Sequence, residues 1–149
     1  MTGQTDRYGG KIALVVDDDR VVRLILRRML EGMGFEVLDA PDGKIALVTA
    51  SQRPLHLVIT DQYMPRMNGL EFFRMARAAG MTAPVIFLTA LGTPDEAHQA
   101  LTSGASDFIE KPLRMNRLVD AVHAAMNSSD TDSLSVEIDV EEFKAGEAE

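Results

Sequence analysis

The 149-residue sequence contains no cysteine. Disulfides, thiol nucleophiles and thiolate-bound metals are therefore excluded. No apolar run approaches the roughly 20 residues that a membrane-spanning helix requires. The first ten residues are polar and lack the apolar core of a secretory signal. No GxGxxG and no GxxxxGK-Ser/Thr phosphate cradle occurs. A basic excess is missing too: net charge is −8. From Asn127 onward eight acidic residues stand against one lysine, so the body is close to neutral and the end is acidic. Neither part offers the cationic surface that binding to nucleic acid requires. The expectation is a cytoplasmic protein that binds neither nucleic acid nor membrane.

What is present is a globular pattern, with 46% apolar residues. Residues 12–16 form a short run rich in β-branched side chains and end at Asp17, Asp18 and Asp19. Val21, Leu24, Ile25 and Met29 recur at helical spacing over 21–33, and Gly34 marks a stop. Further strands are predicted over 35–39, 55–60, 85–88 and 107–110, with helices over 43–51, 69–79, 94–103 and 115–126. Asp42 stands where the second helix needs a cap. Thr93, Pro94 and Glu96 supply a cap, a proline at the first helical position and a capping-box acid. The chain thus divides into a flexible lead (1–10), one domain (11–126) and an acidic tail (127–149).

Five βα repeats with near-continuous apolar strands imply a parallel sheet covered on both faces, in a doubly wound arrangement. Ligands in such sheets bind beyond the carboxyl ends of the strands. Asp17, Asp18, Asp19, Asp61, Thr89 and Lys111 all stand at such ends. Clustered carboxylates repel, so they protonate or bind a cation. With only oxygen donors, a hard cation such as Mg²⁺ is expected. A divalent ion beside a carboxylate nucleophile suits phosphoryl transfer. Each residue alone has a plainer reading: Asp61 as a turn residue, Thr89 as a strand-end hydroxyl, Lys111 as a surface cation. For Asp19 the plainer reading, a helix cap, is preferred. His56, His98 and His123 show no metal-ligand spacing, and the methionines read as core filler.

Four segments together are specific. Val15-Val16-Asp17-Asp18-Asp19, the stretch from Asp61 through Met64-Pro65 to Asn68-Gly69, Leu88-Thr89-Ala90 and Lys111-Pro112 resemble the response-regulator receiver family of two-component signalling. The resemblance spans roughly residues 11–126 and implies a flavodoxin-like sheet of order 2-1-3-4-5 with five helices. It also implies that Asp61 accepts a phosphoryl group from a histidine kinase or a histidine phosphotransfer protein. Asp18, Asp61 and the Tyr63 backbone carbonyl would ligate Mg²⁺, with Asp17 acting through water. Thr89 and Lys111 would bind phosphoryl oxygens, and the Lys111–Pro112 bond would be cis. Thr89 and Phe108 would form the switch that remodels a protein-binding face for a downstream effector. Phe108 stands where many members have Tyr, so a switch relying on that hydroxyl is not available. The resemblance also implies that Tyr63 and Leu91, two residues beyond Asp61 and Thr89, would tune access of water to the acyl phosphate.

The tail alternates Leu134, Val136, Ile138 and Val140 with polar residues, a strand-like pattern. Disorder is the default for such a tail. The alternation points to a sharper reading, an edge strand for this chain, a second protomer or a partner. A third reading is a remnant of, or lead into, another domain. A dimer therefore stays open. No output domain fits within the remaining residues, so the leading expectation is a stand-alone regulator that is not an enzyme on other substrates. A phosphorelay shuttle is the first alternative. A Mg²⁺-dependent phosphohydrolase of the haloacid-dehalogenase kind, with Asp17 and Asp19 as its D-x-D pair, is the second. A docking module that never takes phosphate is the third.

Overall fold

The computed structural model describes residues 7–131 except Leu91 and Leu113. The tail over 132–149 and its expected strand, like Leu91, lie outside the described residues. The elements alternate strictly: β1 Ile12–Val16, α1 Arg20–Gly32, β2 Glu36–Ala40, α2 Gly43–Gln52 and β3 Leu57–Thr60. Then come α3 Gly69–Ala78, β4 Val85–Thr89, α4 Pro94–Thr102, β5 Asp107–Glu110 and α5 Met115–Thr131. The five strands are all parallel, in the order β2-β1-β3-β4-β5. This is the doubly wound, five-helix arrangement that the sequence leads one to expect.

Alternation along the strands sends side chains to two cores. Ala13, Val15, Leu57, Ile59, Ile86 and Leu88 pack against Leu26 and Leu30 of α1 and Leu118, Val122 and Ala125 of α5. Leu14, Val16, Val58, Val85 and Phe87 pack against Ala46 of α2, Phe72, Phe73 and Ala76 of α3, and Ala100 of α4. Burial on both faces explains why β1, β3 and β4 read as unbroken apolar runs.

Local chemistry fixes the helix starts. The Asp19 carboxylate accepts from the Val21 amide at 2.9 Å, so its role is the expected cap. Asp42 Oδ1 accepts from the Ile45 amide at 2.9 Å and starts α2. Asn68 with Glu71, and Thr93 with Glu96, form complete capping boxes at α3 and α4.

Two boundaries move. Tyr8, expected in a flexible lead, is buried: it stacks on Phe35 at 4.8 Å between ring centroids and hydrogen-bonds His123 Nδ1 at 2.6 Å. Its apolar ring gains more from that cover than a polar segment suggests. At the other end, α5 continues to Thr131 rather than stopping at Met126. Residues 127–131 hold neither Gly nor Pro, so nothing local interrupts the helix.

Candidate functional site

The strand register gathers the expected residues. Val16 pairs with Thr60, and Thr60 with Phe87, so the residues that follow β1, β3 and β4 leave the sheet at one rim. Thr89 pairs with Glu110, and the Lys111 amide donates to the Thr89 carbonyl at 2.8 Å, which brings β5 to the same rim. Carboxylate oxygens of Asp17, Asp18 and Asp61 lie within 4.8 Å of one another. Lys111 Nζ sits 3.2 Å from Asp17 Oδ2 and 3.8 Å from Asp61 Oδ2. The Lys111–Pro112 bond is cis.

Backbone geometry holds the carboxylates in place. The Asp61 amide donates to the Val16 carbonyl at 2.9 Å, and Asp61 Oδ1 accepts from the Gln62 amide at 2.7 Å. The Tyr63 amide stands 3.4 Å from the same oxygen. Asp17 Oδ1 accepts from the Asp19 amide at 2.8 Å, while Arg23 donates to the Asp17 carbonyl at 2.7 Å. Burial pushes the Asp17 carboxyl above its usual range. The Asp19 amide and Lys111 oppose that shift, and the Asp61 charge adds to it.

The donor set is three carboxylates with no nitrogen or sulfur ligand, which fits a hard divalent cation and no soft one. A second observation concerns Thr89. Its hydroxyl oxygen is buried without a hydrogen-bond partner, one of two such side-chain atoms among the described residues. A buried hydroxyl without a partner is costly unless a ligand supplies one. Phe108 packs inward, its ring stacked on Phe87 with centroids 5.9 Å apart. Gly92 makes room for it, because a Cβ there would stand 2.6 Å from Phe108 Cε1.

Three contributors escape a reading of the sequence. Gln62 is buried and staples its own loop: its carbonyl accepts from the Gly69 amide and its side-chain Oε1 from the Leu70 amide, both at 2.9 Å. Gly69 sits so close that a Cβ would lie 2.2 Å from the Asp61 carbonyl oxygen. The Asn-Gly pair before α3 is the signal that hints at this approach. Arg23 is spaced as a helix-surface residue and gives no sign of reaching Asp17. The D-x-D alternative loses its second acid, since the Asp19 carboxylate is spent on α1. The histidines stay apart from the site: His56 Nδ1 accepts from the Ile12 amide at 2.9 Å, His123 meets Tyr8, and His98 is exposed.

Comparison with known proteins identifies the family and supports the fold. The family model "Response regulator receiver domain" matches residues 13–123. "Response regulator MprA" of Mycolicibacterium vanbaalenii is 41% identical over 120 residues, covering 80% of this chain and 52% of that protein. "Response regulator MprA" of Mycobacterium avium is 43% identical over 114 residues, covering 76% and 50%. Among solved structures, chemotaxis protein CheY4 of Vibrio cholerae aligns with a TM-score of 0.72 at 28% identity, covering 77% of this chain and 98% of that one. A response regulator receiver domain protein from Clostridium thermocellum aligns with a TM-score of 0.72 at 30% identity, covering 80% and 97%. The chain spans about half the length of the curated relatives it matches.

Proposed function

The chain belongs to the response regulator receiver family, and from that premise we propose that it accepts a phosphoryl group on Asp61 and signals through a changed protein-binding face. The observation that carries this reading is the convergence of Asp17, Asp18 and Asp61 around one ammonium, that of Lys111. Asp61 Oδ1 is engaged by the Gln62 amide, which leaves Oδ2 as the attacking oxygen. That oxygen forms a bond to phosphorus as the phosphorus–nitrogen bond of a phosphohistidine breaks. The bonding pair returns to the imidazole. Asp18, Asp61 and the Tyr63 carbonyl, with Asp17 through water, would hold a Mg²⁺ ion, which would supply charge neutralisation for the phosphoryl oxygens. Lys111 turns from the carboxylates toward one phosphoryl oxygen as a point charge. The Thr89 hydroxyl, without a partner beforehand, donates to another.

Contacts made only with the phosphoryl group shift the population toward the packing in which Thr89 is drawn in. The donor in this reading is a histidine kinase or a phosphotransfer protein in the cytoplasm, and the output is a protein effector. Within the described residues no helix is long and apolar enough to cross a membrane. The chain is an acceptor that catalyses only its own phosphorylation and dephosphorylation. Whether it acts directly or as a relay shuttle is read from whether phosphate passes on to a second histidine.

The test is incubation with a small acyl-phosphate donor and Mg²⁺, followed by mass mapping. One phosphoryl group is expected on Asp61, with none in Asp61→Asn or after chelation of the metal. Label on Asp17, or labelling indifferent to Mg²⁺, would overturn the reading.

A further inference from the structure

Helix α4 is loosely held. Of its nine residues only Ala100 is buried. Its first turn is nonetheless fastened at a distance. The Tyr63 hydroxyl donates to Glu96 Oε2, bridging residues 33 apart in sequence. The other oxygen of the same carboxylate, Oε1, accepts from the Thr93 amide at 3.1 Å. The Thr93 hydroxyl in turn accepts from the Glu96 amide at 3.1 Å. One carboxylate therefore closes the capping box of α4 and grips the loop that carries the phosphoacceptor. At the loop end, the Tyr63 amide faces Asp61 Oδ1. The contact to Glu96 raises the Tyr63 phenol above its usual range.

We propose that Glu96 is a positioning residue that fastens the first turn of α4 to the Asp61 loop, so that events at the phosphoryl site reach α4 through Tyr63 as well as through Thr89. This rests on the phosphoacceptor reading for its purpose, but the fastening itself does not. It supplies a hydroxyl-to-carboxylate link in a chain whose aromatic switch residue, Phe108, has no hydroxyl. The link joins two short-range contacts in series: Asp61 sets the Tyr63 backbone, and the Tyr63 ring sets Glu96. Coupling of this kind is reciprocal. A partner that takes hold of the first turn of α4 also alters the loop around Asp61.

The experiment is residue-resolved amide exchange at Thr93 and Glu96 in the full chain, with and without Mg²⁺ plus beryllofluoride. Wild type is compared with Tyr63→Phe, Glu96→Ala and the double variant. Tyr63→Phe keeps the ring and removes only the hydroxyl. In the metal-free protein it is expected to speed exchange at both amides by about three-fold, the order expected of one exposed hydrogen bond. In the double variant exchange should match Glu96→Ala alone, because the two changes cut one link. With beryllofluoride, wild type should change protection at these amides and Tyr63→Phe should change it less. Should Glu96 act only as a helix cap, Glu96→Ala alone would move exchange and Tyr63→Phe would leave it at wild-type rates, which overturns the proposal. Strictly additive variants overturn it too. If wild type fails to bind beryllofluoride, the phosphoacceptor reading falls, and the metal-free arm still decides the fastening.

Discussion

The turns after β1 and β2 each bury an aspartate at 1% exposure, and the two carboxylates behave in opposite ways. Asp42, after β2, accepts from the Ile45 amide and from Arg66 Nε at 2.8 Å. Those bonds, the amide first, hold its carboxyl below the usual range despite burial. Asp17, after β1, also has an amide and a cation, yet burial pushes it up. Burial weighs most at Asp17, and the Asp61 charge adds to it, whereas at Asp42 the amide bond outweighs burial. Arg66 serves Asp42 as its ion-pair partner, whereas Lys111 is divided between Asp17 and Asp61, with Asp18 near both. One turn is built to be satisfied and holds the fold. The other is short of positive charge, which suits the cation proposed for it. A buried carboxylate is thus read as structural or functional by its charge balance as well as by its burial.

The largest expected effect tests the satisfied turn. Asp42→Ala removes the cap of α2 and the Arg66 pair, and should cost about 2 kcal/mol in chemical denaturation. The exposed side of the Arg66 pair contributes little of this. The pH dependence follows from the sign of the shift. A carboxyl depressed in the fold adds stability above its unfolded value, near 4, and that contribution is lost as pH falls through the folded value. The acid limb of the wild-type stability profile should therefore be steeper than that of Asp42→Asn. Equal limbs would mean that Asp42 is no better satisfied than Asp17.

The complementary variant sits in the other turn. A carboxyl raised in the fold lowers stability once it ionises, so stability falls as pH rises from the unfolded value through the folded one. Asp17→Asn keeps the acceptor for the Asp19 amide and removes the charge. At neutral pH without metal it should stabilise the chain, read as a higher denaturant midpoint than wild type. Mg²⁺ should raise the melting temperature of wild type by mass action and leave that of Asp17→Asn nearly unchanged. Loss of stability in Asp17→Asn comparable to that in Asp42→Asn would erase the distinction between the turns.

Position at a strand end alone does not separate those two aspartates. Both follow a strand and precede a helix, and the partner that distinguishes Asp42 is Arg66, 24 residues away. The rim itself was legible, because the rule that ligands bind past the carboxyl ends of parallel strands needs only strand boundaries. Asp17, Asp18, Asp61, Thr89 and Lys111 all fall where that rule puts them. The start of α4 was equally plain, since a capping box is a four-residue pattern. Long-range service by a residue with an obvious local job was not legible. Glu96 reads as a cap and also meets Tyr63, and Gln62 reads as a loop residue and staples Leu70. Tyr8 is a single aromatic in a polar stretch, with no periodicity to reveal Phe35 and His123 as its partners.

The smallest effect carries the same comparison to a neutral group. Thr89 is buried at 1% exposure with its hydroxyl unpartnered, so at this position the fold is again left short of a partner. Thr89→Val replaces the hydroxyl with a methyl of similar size. At an ordinary buried threonine that change costs stability, because a hydrogen bond is lost. Here no bond is lost and an unpaired polar atom is removed, so the variant should be as stable as wild type or better by about 0.5 kcal/mol. Its response to beryllofluoride and Mg²⁺ should shrink at the same time, measured as chemical-shift change at Phe108 and along β5. Stability rising while response falls is the signature of a group held unsatisfied for a ligand. A drop of about 1 kcal/mol or more in Thr89→Val would show instead that the hydroxyl has a partner in the resting protein, most simply a buried water. The Asp61 rim would then be satisfied on its β4 side and short of charge only on its β1 side.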